Sequence, residues 1–152
     1  MTAPDRDSIQ TWIEELGYDS YICPNCEGVH LSVWEEKKAV LEARCFVESD
    51  RCAMLVEIGI RSSAVLPLQG AIHFMNFDFS LIKVMLSMTD FDVPRLLLTH
   101  ALPSEHLTEE LFKDWLPKLL AEMDTIYAQL EDMDVLFVSE IEQAENMDEQ
   151  LH

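Results

Sequence analysis

Three consecutive stretches within residues 29–60 alternate apolar and polar side chains with a period of two. This alternation predicts β-strands, because successive side chains of a strand point to opposite faces of the sheet. The turn-forming residues 36–38 and 49–51 separate the stretches, and connections this short join antiparallel neighbours. We therefore predict a three-stranded antiparallel meander with one wet and one dry face. The apolar positions expected on the dry face are Val29, Leu31, Val33, Leu41, Ala43, Cys45, Val47, Met54, Val56, Ile58 and Ile60.

Residues 81–88 and 95–102 alternate in the same way, and the turn-forming residues 89–92 join them. These residues predict a β-hairpin. Helical patterns lie before, between and after the strands. The sequence thus predicts an α+β fold in the order helix, three-stranded antiparallel meander, helix, β-hairpin and long C-terminal helix.

The first and last helices are marked by apolar residues at helical spacing and by residues suited to their ends. The first ends at Gly17, which can take the left-handed terminating conformation, and Asp5 or Asp7 is available as its N-cap. The last helix contains Pro117, which has no backbone N–H to donate. We expect a kink at that point, or a restart capped by Asp114.

The middle helix, predicted over residues 63–76 with Ser62 or Ser63 as its cap, is apolar on every side. One face carries Leu68, Ala71, Ile72 and Met75, and the other carries Leu66, Phe74 and Phe77. A helix that is apolar all round needs cover on both sides, and a sheet can supply only one. We therefore predict that the second group forms a partner or dimer surface.

Length and composition indicate one domain, which we place at residues 1–134. The remaining residues 135–152 indicate an acidic C-terminal tail or a loosely attached helix, since no Lys or Arg follows Lys118. Within that segment, the apolar residues 135–138 leave an extension of the fold open.

The net charge of −19, from 29 acidic residues against 10 Lys and Arg, disfavours nucleic acid and anionic membrane surfaces as partners. No apolar stretch approaches the length of a membrane-spanning helix, and no signal peptide is visible. We therefore expect a cytoplasmic protein whose four cysteines are mostly reduced thiols.

Cys23-Pro-Asn-Cys26 is the sharpest local motif. Such a turn can present two thiolates to zinc, and His30, Cys45 or Cys52 would complete the ligands if the first hairpin brings them close. A catalytic dithiol belongs at a helix N-terminus, whereas the residues after Cys26 lead into a strand with His30 on its wet face. Zinc, a redox dithiol and inert thiols all stay open.

The sequence shows no catalytic motif. The histidines lack paired spacing, no nucleophile elbow is present, and the four glycines stand alone, so no loop suits a phosphate. His100, on the apolar face of a strand, is expected to be a satisfied core histidine. We therefore expect neither enzymatic activity nor a cofactor, with zinc as the one exception left open.

The order of elements carries a family resemblance. With LGY closing the first helix, and HFMNFDFSLIKVMLSMTD carrying an Asn between the second helix and the fourth strand, the chain resembles the YbjN family of proposed bacterial sensory-transduction regulators over residues 9–130. The resemblance implies a fold like that of type III secretion chaperones and a domain that binds protein, often as a homodimer. It implies no catalytic residue. The Cys-Pro-Asn-Cys turn and the acidic tail depart from the family pattern.

These observations lead to three hypotheses about function. The first is a non-enzymatic protein-binding or regulatory module, acting as a homodimer with an unknown protein partner. The second is a secretion-type chaperone, which shares this physics but serves a specific client. The third is a zinc or thiol-based sensor built on Cys23 and Cys26.

Overall fold

The helices and strands confirm the predicted α+β class. The computed structural model describes residues 3–89 and 92–139. In chain order the elements are α1 (Arg6–Glu15), β1 (Ser20–Ile22), β2 (Val29–Leu31), α2 (Ser32–Glu35), β3 (Val40–Val47), β4 (Arg51–Gly59), α3 (Val65–Asp78), β5 (Lys83–Ser87), β6 (Arg95–Pro103) and α4 (Glu109–Asp132), with a 3-10 turn, Ser62–Ala64, before α3.

Within the described residues the strands form one six-stranded sheet in the order β1-β2-β3-β4-β6-β5, and every neighbouring pair is antiparallel. The predicted meander is β2-β3-β4 and the predicted hairpin is β5-β6. Pairing of β4 with β6 joins the two into a single sheet. Part of the predicted hairpin turn, residues 90–91, lies outside the described residues.

One face of the sheet is dry and packs against α1 and α4. Met54, Val56 and Ile58 of β4 are fully buried and belong to the same apolar core as α4. The rings of Trp12 on α1 and Phe112 on α4 lie 5.5 Å apart, which joins the two covering helices. The predicted division into a wet and a dry face is therefore confirmed for this part of the sheet.

Trp34 explains why β2 is shorter than predicted. The alternation places Val33 inside and Trp34 outside, but the chain forms the helical turn α2 instead. This turn buries Trp34 against the edge of the Tyr127 ring, at 6.0 Å between centroids, and leaves Val33 half-exposed. Burying an indole excludes more apolar area from water than burying a valine, so packing overrides the alternating pattern.

Two further strand predictions were wrong. β1 was missed, since three residues among turn formers give too short a pattern to recognise. Leu41 does not face the core, because the register of β3 against β4 shifts between Val40 and Glu42. Such a bulge turns the extra side chain outward, and Leu41 is 43% exposed.

The helix ends also differ from prediction in two places. Ser62 and Ser63 form the 3-10 turn rather than a cap, and Ala64 precedes α3 with no side-chain capping bond. α4 continues through Pro117 without a restart, and Asp114 accepts a bond from Lys118 instead of capping a helix. Buried residues on both sides of the proline, from Phe112 to Leu130, stabilise the uninterrupted helix.

The residues after α4 return to the sheet. Leu136 forms an antiparallel bridge with Ile60, and Phe137 N–H donates to the Gly59 carbonyl at 2.9 Å. Val135, Leu136 and Val138 are buried. The packed structure therefore extends past the predicted boundary at residue 134, while residues 140–152 of the predicted tail lie outside the described residues.

His100 has a hydrogen-bond partner, as predicted, but it is partly buried and does not belong to the core. Trp115 Nε1–H donates to its Nδ1 at 2.9 Å, which ties α4 to β6. Burial, with a smaller contribution from Lys83, lowers the pKa of His100. The ring is thus kept neutral, with its proton on the other nitrogen.

Asn76 closes the exposed edge of β5. Its Oδ1 accepts from Val84 N–H at 2.7 Å, and its Nδ2 donates to the Val84 carbonyl at 2.9 Å. The side-chain amide thereby takes the place of a neighbouring strand, which protects an edge that would otherwise be open to pairing. Asn76 is the Asn of the HFMNFDFSLIKVMLSMTD stretch that carries the YbjN resemblance, and its role there is structural.

Asn76→Ala should lower the free energy of unfolding by about 1–2 kcal/mol, because it removes both hydrogen bonds to Val84. Urea unfolding measures this change. Gln69→Ala, at an exposed position of the same helix, is the control for helix propensity. Equal effects of the two substitutions would contradict the edge-closing role.

Candidate functional site

The loop between β1 and β2 brings together three residues predicted as metal-ligand candidates. The sulfurs of Cys23 and Cys26 lie 2.9 Å apart, and Cys26 Sγ lies 2.9 Å from His30 Nε2. Antiparallel pairing of Tyr21 with His30 sets the histidine beneath the loop. All three potential ligand atoms lie within 4.8 Å of one another, and we call this group the Cys–His cluster.

His30 does not lie on a wet face, and that prediction was wrong. His30 is 7% exposed, and its ring stacks on the ring of Tyr21 at 4.8 Å between centroids. Its Nδ1 lies 3.0 Å from Glu35 Oε2, which also accepts from Ala43 N–H at 3.3 Å. Tyr21 O–H donates to the other Glu35 oxygen. The imidazole of His30 is therefore positioned by the Tyr21 ring on one face and by Glu35 at Nδ1.

Cys45 and Cys52 do not join the cluster. They lie on β3 and β4, fully buried in the core, with their sulfurs 4.0 Å apart. The hydrogen bond with Cys52, together with burial, raises the pKa of Cys45 well above its usual range. The predicted option that these two cysteines complete a zinc site is therefore excluded by their position.

The pKa values of the two cluster thiols are shifted in opposite directions. A hydrogen bond with Cys26 lowers the pKa of Cys23 to about 7, and the same bond raises the pKa of Cys26. Burial acts to lower the pKa of His30, but the Glu35 carboxylate and the nearby Cys23 together raise it. The hydrogen bond to Glu35 raises the pKa of Tyr21 to about 12. Near neutral pH the cluster thus contains one partly ionised and one protonated thiol.

Glu35 and Tyr21 were not identified from the sequence. Glu35 reaches His30 only because α2 turns the chain back after β2, and the alternating pattern conceals that turn. Tyr21 lies opposite His30 on β1, the strand that was missed. A carboxylate five residues after a histidine has no helical or strand spacing that would mark it.

The second candidate site is the exposed side of α3. Leu66, Phe74 and Phe77 are 78%, 69% and 87% exposed. Together with Gly70 and His73, which share this side of the helix, they form what we call the α3 outer face. Residues 62–77 contain no Asp, Glu, Lys or Arg.

A groove of about 300 Å³ runs beside this face. It lies between α3 and the C-terminal end of α4, and it is lined by Ala71, Phe74, Met75, Asp78, Gln129, Asp132 and Met133. Phe74 belongs to both the groove and the α3 outer face. The exposed apolar surface is therefore concave on one side, which suits an inserted side chain.

No protein-family model matches the sequence. Among curated proteins, the chain is 26% identical over 102 residues to the uncharacterised protein YbjN of Escherichia coli K12 and to that of Shigella flexneri. The aligned region covers 67% of this chain and 65% of those relatives, slightly less than two thirds of their length.

The structural comparison agrees. A crystal structure of YbjN from E. coli, described as a proposed transcription regulator, matches with a TM-score of 0.83. The match covers 91% of this chain and 99% of that chain, at 22% identity. The YbjN resemblance predicted from the sequence is thus confirmed, and the high TM-score shows the YbjN fold.

The YbjN relatives are uncharacterised, so no activity or site residue can be transferred from them. Among the described residues, no helix is both long and apolar enough to cross a membrane.

In reduced, metal-free protein, Cys23 should be the most reactive of the four cysteines toward iodoacetamide. Because the thiolate is the nucleophile and the pKa is about 7, its rate should rise about tenfold between pH 6 and pH 8 and then level off. Peptide mass spectrometry resolves each site. Cys26→Ala removes the hydrogen bond and should move the midpoint toward about 8.5. A wild-type midpoint already near that value would contradict the acidity of Cys23.

Proposed function

We propose that this chain is a non-enzymatic protein-binding or regulatory module of the YbjN type that acts as a homodimer through the α3 outer face. The observation that carries the proposal is the exposure of Leu66, Phe74 and Phe77. Removing one such side chain from water contributes about 1.5–3 kcal/mol, so leaving three exposed on one helix favours association.

Charge favours a second copy of the chain as the occupant. With a net charge of −19, two copies repel each other over most of their surfaces. Because residues 62–77 carry no Asp, Glu, Lys or Arg, contact between the α3 outer faces of two copies brings few like charges together, with Asp78 and Asp132 lining the groove alongside. In a two-fold symmetric dimer the same patch meets itself, so an uncharged and apolar patch is self-complementary.

The shape of the α3 outer face suits contact between two helices. Gly70 lies between Leu66 and Phe74, and a Cβ added there would meet nothing within 4 Å. The face therefore has a notch at its centre, where a second helix can come close. The adjacent groove beside Phe74 would receive an aromatic ring from the other copy.

Light scattering coupled to size-exclusion chromatography tests the dimer. The wild type should have twice the 17.5 kDa mass of the chain at micromolar concentration. The double variant Phe74→Ser with Phe77→Ser should weaken the dimer at least about 100-fold, because it removes most of the apolar contact. Its thermal stability as a monomer should be unaffected, since both rings are exposed.

Leu41→Ser is the matched control, because Leu41 is an exposed apolar residue that lies on β3 and not on α3. The control should stay dimeric. A monomeric wild type, a dimer that survives the double substitution, or a dimer that is lost in Leu41→Ser would contradict the proposed interface.

A secretion-type chaperone is the alternative use of the same surface. A client segment would then replace the second copy in the groove beside Phe74, and the negative charge of the chain would favour a basic client. A monomeric chain that binds one basic client, and loses it in the Phe74 and Phe77 double variant, would support this alternative over the homodimer.

A further inference from the structure

We propose that Cys23, Cys26 and His30 bind one Zn²⁺, with Glu35 orienting the histidine and the fourth coordination position open to solvent. This site is distinct from the proposed dimer surface. Its cysteines lie on the β1–β2 loop and its histidine on β2, at the end of the sheet opposite β5, which α3 contacts.

The ligand types and their spacing fit zinc. Thiolates and imidazole are the side chains that bind Zn²⁺ in tetrahedral sites, with Zn–S distances of about 2.3 Å. Those distances place two ligating sulfurs about 3.8 Å apart. The sulfurs of Cys23 and Cys26 lie 2.9 Å apart, so they need to separate by less than about 1 Å. Both belong to a surface loop that can accommodate this change.

The histidine is oriented for binding before any ion arrives. Its Nε2 faces Cys26 at 2.9 Å, while its Nδ1 lies 3.0 Å from Glu35. An Nδ1–H bond to the carboxylate leaves the Nε2 lone pair directed at the thiols. A ligating histidine whose second ring nitrogen is held by a carboxylate is a recurrent feature of zinc sites. Ala43 N–H in turn holds Glu35 in place.

The backbone around the thiols favours metal over dithiol catalysis. The two cysteines lie in a loop between antiparallel strands and not at the N-terminus of a helix, where a helix dipole would lower a thiol pKa. Zinc binding releases to solvent the remaining thiol protons of Cys23 and Cys26 and any proton on His30 Nε2, and it needs no oxidant. A disulfide would consume the same two sulfurs, so it competes directly with the metal.

The fourth position is open because no further ligand of the usual types joins the group. In the described part of the chain, no other His, Cys, Asp or Glu has a ligand atom within 4.8 Å of all three members of the Cys–His cluster, and Glu35 contacts the histidine at Nδ1, the nitrogen turned away from the thiols. Cys23 and Cys26 are partly exposed. Water, or a small nitrogen or sulfur ligand, can therefore complete the coordination, as in zinc sites that keep an exchangeable position.

Metal analysis of the full chain, purified reduced and without chelator, is the first test. We expect one Zn²⁺ per chain in the wild type and in Cys52→Ala, which removes a thiol outside the cluster. Cys23→Ser, Cys26→Ser and His30→Ala should each lose it. X-ray absorption at the zinc edge of the wild type should show two sulfur neighbours at about 2.3 Å and nitrogen or oxygen neighbours at about 2.0 Å.

Cobalt titration of the apoprotein tests the two finer claims. Glu35→Gln should bind Co²⁺ about 10- to 100-fold more weakly with an unchanged visible spectrum, since it orients the histidine without ligating. Added imidazole should alter the wild-type spectrum through the open position.

The proposal is overturned if wild-type zinc is no higher than in Cys23→Ser, or if bound zinc shows no sulfur neighbours. It is also overturned if the protein purified under reducing conditions contains a Cys23–Cys26 disulfide. The absorption measurement on the wild type decides the matter even if the substitutions impair folding. A dimer that persists in all cluster variants keeps this test separate from the proposed function.

Discussion

The pairing of β4 with β6 holds the two halves of the structure together. All nine residues of β4 pair with β6, from Arg51 opposite Pro103 to Gly59 opposite Arg95. A slip of one residue would turn Glu57 toward the core in place of Ile58, so burial specifies this register strongly. The pairing also places β1 and β5 at opposite ends of one sheet. The Cys–His cluster and the α3 outer face are separated for that reason.

The sequence predicts those features of the fold that depend on regular repetition. Alternation identified β3, β4, β5 and β6, and helical spacing identified α1, α3 and α4. The alternating pattern gave a wrong prediction where a local feature of the structure determines the backbone conformation. Trp34 turns the chain into α2, and a bulge rotates Leu41 outward. A periodic sequence pattern cannot indicate that the single indole of Trp34 packs against Tyr127.

The candidate sites were predictable to different degrees. The exposed side of α3 follows from composition, because a helix with apolar residues all round cannot bury every side against one sheet. The cluster was only partly predictable, since Cys23, Cys26 and His30 carry a spacing signal and Glu35 and Tyr21 do not. Their contacts arise from β1 and α2, the two elements that the alternating pattern did not show. Both candidate sites lie on a fold that matches the structure of YbjN.

The most direct test of the proposed dimer is to identify which residues of one copy contact the other copy. Isotope-filtered NOE spectroscopy on a mixture of labelled and unlabelled chains detects only contacts between copies. The homodimer model predicts cross-peaks from the ring protons of Phe77 to Gly70 and other α3 atoms of the second copy. Cross-peaks confined to another element, or none at a concentration where the protein is dimeric, would contradict an interface at the α3 outer face.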